Sequence, residues 1–522
     1  MTTHQNPSIT GNTDNDYAPT APSPKATVKQ WFGLMIMVIP LFMLATDVTV
    51  LYLAMPAIAA DLLPVGSQQL WILHIGEFLS AATMITFGLL ASRIGARRLL
   101  LAAVAVYGVA SLLAAYAVNP EMLIGGRALL GMAAAAFTPA GMILVRRTFR
   151  DPKQYNLAFA AYMAAFTGGM AAGPPFGGLI LEHFWWGAVF LINVPIAAVL
   201  LIGGPFLLER NHADRRVKID GASVVLSITA IITLVYGLQE LSATGFSWLP
   251  LLSAGLGFGL LLLFIRRQQT AAHPLLDLGL FRIRTIRLML IVLAAGSFSM
   301  AVAEMLLPQY LQIIRELSPL QAGLVLLFPA LGSTVGTMFT PLLARTKHQG
   351  LAIAGPLALT GILAAVFVLL IPEASLLNLI VTLTALALVG APFITLVSQL
   401  LISAAPEEKT GSATALQDVT ASLSMASSIA LMGAGALALY RRILTDWADE
   451  NLADQAVQTA AESFGASSAV LPQLDAAEGQ SLMEAVEAGF TATVQAGYGF
   501  YALGSVLLAG VVILLMRRGR TS

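Results

Sequence analysis

The chain has 522 residues, of which 57% are hydrophobic and 11% charged, with 28 basic and 28 acidic side chains. A soluble domain carries about 25% charge, so these proportions exclude a soluble globular protein and indicate an integral membrane protein. Cysteine is absent, which excludes a disulfide framework and thiolate metal sites.

Residues 1–28 are polar, dominated by Pro, Thr, Asn and Ser, and read as a disordered cytoplasmic tail. They lack the basic stretch, short apolar run and small-residue cleavage site of a signal peptide. The first spanner is then its own insertion signal. Apolar segments able to cross a bilayer follow near 31–58, 69–91, 97–117, 122–144, 155–181, 187–208, 220–239, 247–265, 287–312, 319–343, 350–371, 376–403, 410–440 and 488–516, fourteen in all. The first of them, Trp31 to Ile58, contains one charge, Asp47. An ionised carboxylate at that depth costs about 2.5–3.5 kcal/mol on insertion scales, so it needs a cation, a proton or a water-filled cavity.

Basic residues set the orientation. With the N-terminus inside, inner loops hold Arg93, Arg97, Arg98, Arg146, Arg147, Arg150 and Lys153, then Arg210, Arg215, Arg216, Lys218, Arg266 and Arg267, and later Arg282, Arg284, Arg287, Arg345, Lys347 and Lys409. Outer loops hold only Arg315, Arg441 and Arg442. This positive-inside asymmetry places both termini in the cytoplasm, with the chain in the cytoplasmic (inner) membrane.

Spanners seven and eight carry no intramembrane acid and lie between two basic linkers, as an insertion (209–285) between an N-terminal six-helix bundle (29–208) and a C-terminal one (286–516). Residues 517–522 form a second cytoplasmic tail. The outer segment 441–488 carries nine acids from Asp446 to Glu487 and, beyond Arg442, no Lys or Arg. Its Ala-rich stretches favour helix, broken around Gly465–Pro472. It is expected to be an acidic helical hairpin continuing spanners thirteen and fourteen.

Several strings carry more specific information. The loop after spanner two reads Gly88-Leu-Leu-Ala-Ser-Arg93-Ile-Gly95-Ala-Arg97-Arg98, in which two glycines permit a tight turn beneath cytoplasmic arginines. Spanner five contains Gly169-Met-Ala-Ala-Gly173-Pro174-Pro175-Phe-Gly177-Gly178, whose small-residue spacing allows close helix contact and whose prolines bend the backbone. Spanner four holds Arg127 within LIGGRALLG, the first spanner reads LATDVTVLYLAMP, and spanner six reads FLINVP.

These strings resemble the signatures of the major facilitator superfamily, and from about 31 to 440 those of its fourteen-spanner drug:proton antiporters. The glycine–proline string is similar to the superfamily's antiporter motif. Two departures stand in the loop signature, where Ser92 replaces the usual Asp and Ala96 a basic residue; Tyr52 replaces an Asn in the first spanner. The resemblance implies an all-α major facilitator fold of two six-helix bundles plus two inserted helices. Gly88, Arg93, Gly95, Arg97, Gly169, Gly173, Pro174, Gly177 and Gly178 would then serve gating and conformational change. The nearest likeness is to efflux pumps for quaternary ammonium compounds and dyes.

Four acids fall inside spanners: Asp47, Glu77, Glu304 and Asp418. Counting helix rise puts Asp47 about 16 Å, Glu77 about 12 Å and Arg127 about 9 Å below the outer surface, so the three could share a cavity between helices one, two and four. His74 lies one turn from Glu77 on the same face. Glu304 lies toward the outer end of spanner nine, and Asp418 about 12 Å from the cytoplasmic end of spanner thirteen. Each has two readings. Asp47 is a proton and cation carrier or a structural partner of Arg127, and Arg127 a coupling residue or an anchor. Glu77 and Glu304 bind cations or face water at the outer mouth. Asp418 is a carrier or a hydrogen-bond partner of nearby Ser and Thr, and His74 a relay or a packing residue. Trp71, Tyr52, Phe78 and Tyr310 pack or belt the interface, and any lining a cavity would attract onium groups.

A carboxylate that alternates between a proton and a cationic drug is the minimal chemistry of proton-coupled efflux. The expected function is therefore a monomeric proton-coupled multidrug efflux antiporter for lipophilic cations. It would need no cofactor beyond the proton gradient and no metal or nucleic acid. Alternatives are a transporter of a small nutrient or metabolite, and a non-transport membrane scaffold. A membrane enzyme has no foothold, because phosphate-loop, zinc-protease and nucleophile-elbow motifs are absent.

Overall fold

The computed structural model describes residues 25–209, 219–244, 247–271, 274–276, 278–346, 349–406, 409–448, 454–462, 470 and 474–518. Within a bilayer, backbone polar groups must be satisfied inside each segment, and the described residues accordingly form helices and no strand. In chain order these are α1 (Val28–Leu62), α2 (Gly66–Ile94), α3 (Ala96–Ala115), α4 (Pro120–Ala134), α5 (Phe137–Thr148), α6 (Pro152–His183), α7 (Ala188–Leu191), α8 (Asn193–Leu207), α9 (Gly221–Thr244) and α10 (Trp248–Thr270). A short 3-10 turn, Leu278–Arg282, leads to α11 (Arg284–Ile313), α12 (Pro319–Met338), α13 (Thr340–Ala344), α14 (Gln349–Leu370), α15 (Leu376–Ser403) and α16 (Thr410–Ser428). A π-helical turn, Ile429–Gly433, joins α16 to α17 (Ala434–Ala448), followed by α18 (Asp454–Glu462) and α19 (Ala476–Arg518).

Twelve helical segments among the described residues are long and apolar enough to cross a membrane. Two further rods, α6 and α16–α17, stand where spanners five and thirteen are expected. The first is diluted by glycine, and the second is polar in its opening half and interrupted by the π turn. Several expected continuous spanners prove to be broken rods: α4–α5 at Ala135–Ala136, α7–α8 at Ile192 and α12–α13 at Phe339. Others run longer than their apolar stretches. α1 extends to Leu62 and ends on Leu63 in the left-handed region (φ 47°), and α19 begins at Ala476 rather than near 488.

α1 packs on α6 and α8, α2 on α4, and α3 on α4 and α8. The later helices pair among themselves: α12 with α15, α14 with α15 and α19, and α11 with α16 and α19. The two sets meet through α6–α12, α2–α16 and α1–α11. α9 lies beside α2 and the π turn, while α10 packs mainly on α9, with Gly237 and Gly257 allowing close backbone approach. Outward faces carry exposed Val109, Leu112, Val199, Ile202, Leu369 and Leu514, the composition expected of a lipid-facing surface.

Arg210–Lys218, Lys347, Asp449, Glu450 and most of the expected break at Gly465–Pro472 lie outside the described residues, as does most of the N-terminal tail. Of the outer acidic segment, α17 and α19 extend past their apolar stretches, and α18 packs on α17, where the Arg441 Nε donates to Ala461 O at 3.0 Å.

A very close backbone crossing joins α2 to α4. A Cβ placed on Gly131 would stand 2.0 Å from Gly76 O, a backbone atom that cannot rotate away. Gly131→Ala is therefore expected to cost about 1–3 kcal/mol through forced separation of the helices. Gly125→Ala on the same helix meets nothing within 4 Å and should leave stability unchanged or slightly raised. Thermal unfolding of the two purified variants in detergent checks the contrast.

Candidate functional site

The site is built on the paired crossing of α1, α2 and α4. Asp47 on α1 and Arg127 on α4 form a hydrogen-bonded ion pair, with side chains 8% and 3% exposed. The guanidinium also donates from Nε to Ile72 O on α2 at 3.2 Å and lies over the Phe190 ring of α7 at 5.9 Å. One cation thus ties four helices together. Gly76 makes room for it: a side chain there would stand 3.2 Å from Arg127 O and 3.5 Å from its Nη2.

Beside the pair lies a cavity of about 120 Å³, lined by Asp47, Glu77, Ser80, Tyr107, Arg127 and Ser422 among others. It therefore gathers α1, α2, α3, α4 and α16 rather than the expected helices one, two and four alone. Glu77 is 21% exposed, and its Oε2 accepts from His74 Nδ1 at 3.4 Å when that nitrogen carries the proton. His74 itself is 0% exposed, packed between Tyr52 and Phe78, and its Nε2 has no hydrogen-bond partner.

Glu304 on α11 is exposed and does not line that cavity, but it lies within electrostatic reach of Glu77 and of Tyr52, Tyr498 and Tyr501. Acids from both halves of the chain therefore share one field. Asp418 stands apart: it has no ion-pair partner among the described residues, and its link to the cavity is Ser422, one turn further along α16. No cluster of potential metal ligands occurs among the described residues.

The expected gating residues separate into two groups. Gly95 has φ 100°, a conformation that only glycine adopts without strain, and it turns the chain between α2 and α3. Arg97 donates to Pro205 O at 2.7 Å, while Ser92 and Arg93 are exposed and Gly88 lies at ordinary distance from Pro139. On α6, Gly169, Gly173 and Gly177 face α1, where added side chains would meet Phe42 O, Thr49 Oγ1 and Val50. Gly178 faces the other way, 2.4 Å from Pro319 O by the same measure. Gly323 on α12 reciprocates against Pro174 O. α6 is thus wedged between α1 of one half and α12 of the other. Near the same end, Gln312 donates to Leu53 O at 2.9 Å and Glu182 accepts from Leu320 N at 3.4 Å. The halves are closed on each other at the side expected to face outward.

Tyr107, Ser422, Tyr498, Tyr501 and Gly323 are site residues that sequence reasoning does not single out. A phenol, a hydroxyl or a glycine in an apolar run is ordinary composition; only the fold brings these together.

Residues 37–429 match the family described as the Major Facilitator Superfamily. The chain belongs to that superfamily. It is a multi-pass membrane transporter and not an enzyme, and it falls in the drug-efflux branch of the family. It is 31% identical over 494 residues to the multidrug efflux pump LfrA of Mycolicibacterium smegmatis, covering 95% of this chain and 98% of that one. It is likewise 31% identical over 471 residues to the methyl viologen resistance protein SmvA of Salmonella typhimurium, covering 88% and 93%. Among solved structures, the inward-facing, occupied form of a bacterial homolog of the human lysosomal transporter Spinster superposes with a TM-score of 0.67. It covers 94% of this chain and 98% of that one at 12% identity, a likeness of fold alone.

In this major facilitator chain the outer contact of α6 with α12 can be probed directly. Because the chain has no cysteine, a single Ser422→Cys reports access to the cavity without background. Gly323→Ala adds a methyl against the Pro174 backbone and should loosen the outer contact. Labelling of the cysteine by a membrane-impermeant thiol reagent from the outer side should then rise by severalfold over the same protein with Gly323 intact.

Proposed function

We propose that this chain is a proton-coupled multidrug efflux antiporter that exports lipophilic cations by alternating access, quaternary ammonium compounds, dyes and biguanide-type antiseptics among them. The carrying observation is the cavity lined by Asp47, paired with Arg127, and by Glu77, with Ser422 of the later half on its wall and Glu304 of α11 within electrostatic reach of Glu77. A buried carboxylate must hold a proton or a cation, because desolvation penalises it bare. Entry of a cationic drug supplies one counter-charge and releases the other, which couples drug to proton by electroneutrality. The drug-efflux relatives support the same reading.

In this reading the proton gradient is the energy source and no cofactor takes part. Rocking of one six-helix bundle against the other moves the site between the two faces of the inner membrane. The glycine-lined contacts of α6 set how the halves separate, and a single protomer with cytoplasmic termini is the working unit.

The ion pair gives the test. Losing one partner of a buried pair costs about 3–5 kcal/mol, because the other charge is left uncompensated. Asp47→Asn and Arg127→Gln should each lower thermal stability accordingly, and the Asp47→Asn/Arg127→Gln double variant should recover it. If Asp47 exchanges protons, the recovered double variant still fails to release protons when a quaternary ammonium dye is added to proteoliposomes. Asp47→Glu should keep partial activity. Full dye-evoked proton flux in the folded double variant would refute the assignment of coupling to Asp47.

A further inference from the structure

A broad concave surface lies away from the acidic site, between α9 and α10 at the ends bearing Gly221 and Thr270. It spans about 860 Å³ and is lined by Val225, Leu226, Thr229, Leu260 and Leu263, with Gly221, Ala222, Arg266, Arg267 and Thr270 at the helix ends that form its mouth. Its walls open outward: Val225 and Leu263 are exposed, on helices whose outer faces are apolar. The volume is that of a pocket for an elongated amphiphile.

The two arginines at the mouth have different fates. Arg267 is committed to Asp220 by paired hydrogen bonds, Nε to Oδ2 at 2.9 Å and Nη2 to Oδ1 at 2.8 Å, and Ser223 joins them at 3.2 Å. These bonds hold the Asp220 carboxyl well below the usual carboxylate range, so the pair is internally neutral. Gln268 fastens the same corner, donating to Ser223 Oγ at 2.9 Å and accepting from Leu275 N at 2.7 Å and Leu276 N at 3.2 Å. Arg266 is exposed and takes no part in this network or in any ion pair among the described residues. The rim therefore presents Arg266, which has no ion-pair partner among the described residues, beside the apolar groove.

We infer that this groove is a binding site for an anionic phospholipid of the cytoplasmic leaflet, with an acyl chain along Val225, Leu226, Leu260 and Leu263 and the headgroup phosphate on Arg266. Apolar walls alone would take any lipid chain; the exposed Arg266 guanidinium at the rim selects the anionic headgroup. Since α9 packs on α2 and on the π turn of the C-terminal half, a bound lipid would load a helix that touches both halves.

Full-length protein, purified in mild detergent and mixed with equal phosphatidylglycerol and phosphatidylcholine of matched chains, is examined by native mass spectrometry. One phosphatidylglycerol should be retained in preference. Arg266→Gln should reduce that preference about fivefold, the equivalent of about 1 kcal/mol for one arginine near an anionic headgroup. Arg146→Gln, an exposed basic residue elsewhere, should not change it. Thr229→Trp, which fills the groove, should lower retention of both lipids without altering charge. A photoreactive residue at Val225 should cross-link to phosphatidylglycerol. Unchanged preference in Arg266→Gln, an equal loss in Arg146→Gln, or a cross-linked product of twice the chain mass would each overturn the assignment, the last by showing a second copy in the groove.

Discussion

The ion pair between Asp47 and Arg127 is the constraint from which the N-terminal half is organised. Two charges cannot be left bare among apolar helices, and their attraction repays desolvation only with close geometry and further hydrogen bonds. Here the guanidinium finds all of these at once: the carboxylate on α1, a carbonyl on α2 and an aromatic face on α7. α4 cannot slide without losing one of them. The glycine crossing of Gly76 and Gly131 follows from the same demand, since a bulkier crossing would withdraw Arg127 from Ile72 O. Polar chemistry fixes the register, and small residues permit it.

The second organising contact is made of shape rather than charge. α6 presents glycines on two faces, one row toward α1 and Gly178 toward α12, and α12 answers with Gly323. In a bilayer, where lipid tails are as apolar as side chains, such close backbone approach supplies the van der Waals contact that holds helices together. Placing it across the boundary between the halves makes the association tight with few polar contacts, Glu182 with Leu320 N and Gln312 with Leu53 O among them. A contact of this kind can part and re-form, as the alternating access proposed above requires.

Much of this was legible in the sequence, and the reason is contrast. Asp47, Glu77, Arg127 and Glu304 are conspicuous because charge is rare in apolar runs, and helix rise alone placed the first three at comparable depths. The glycine–proline string of α6 stands out for the same reason of improbability. Gly323, Gly131, Tyr107 and Ser422 gave no such signal, because each is common in membrane helices and gains meaning only from what faces it. Asp418 shows the converse: an intramembrane acid is visible in the sequence, yet the structure leaves it outside the cluster. Rod ends were legible only where apolarity and helix propensity agree. α19 begins at Ala476 because its Ala- and Glu-rich approach continues the helix beyond the hydrocarbon stretch, and the breaks at Ile192 and Phe339 carry no proline or charge at the break itself to announce them.

The π turn at Ile429–Gly433 has a mechanical meaning. A wider turn leaves backbone carbonyls less tightly matched and rotates everything beyond it about the helix axis. The half that carries Asp418 and Ser422 therefore points its polar face at the cavity, while the half that carries Tyr440 turns a different face to its neighbours. Because the turn also touches α9 and α11, it is the place where the rod, between two straight arms, would bend most easily. Movement at the acidic centre would then reach the outer acidic segment as a swing of α17, with α11 and α9 as the bearing surfaces.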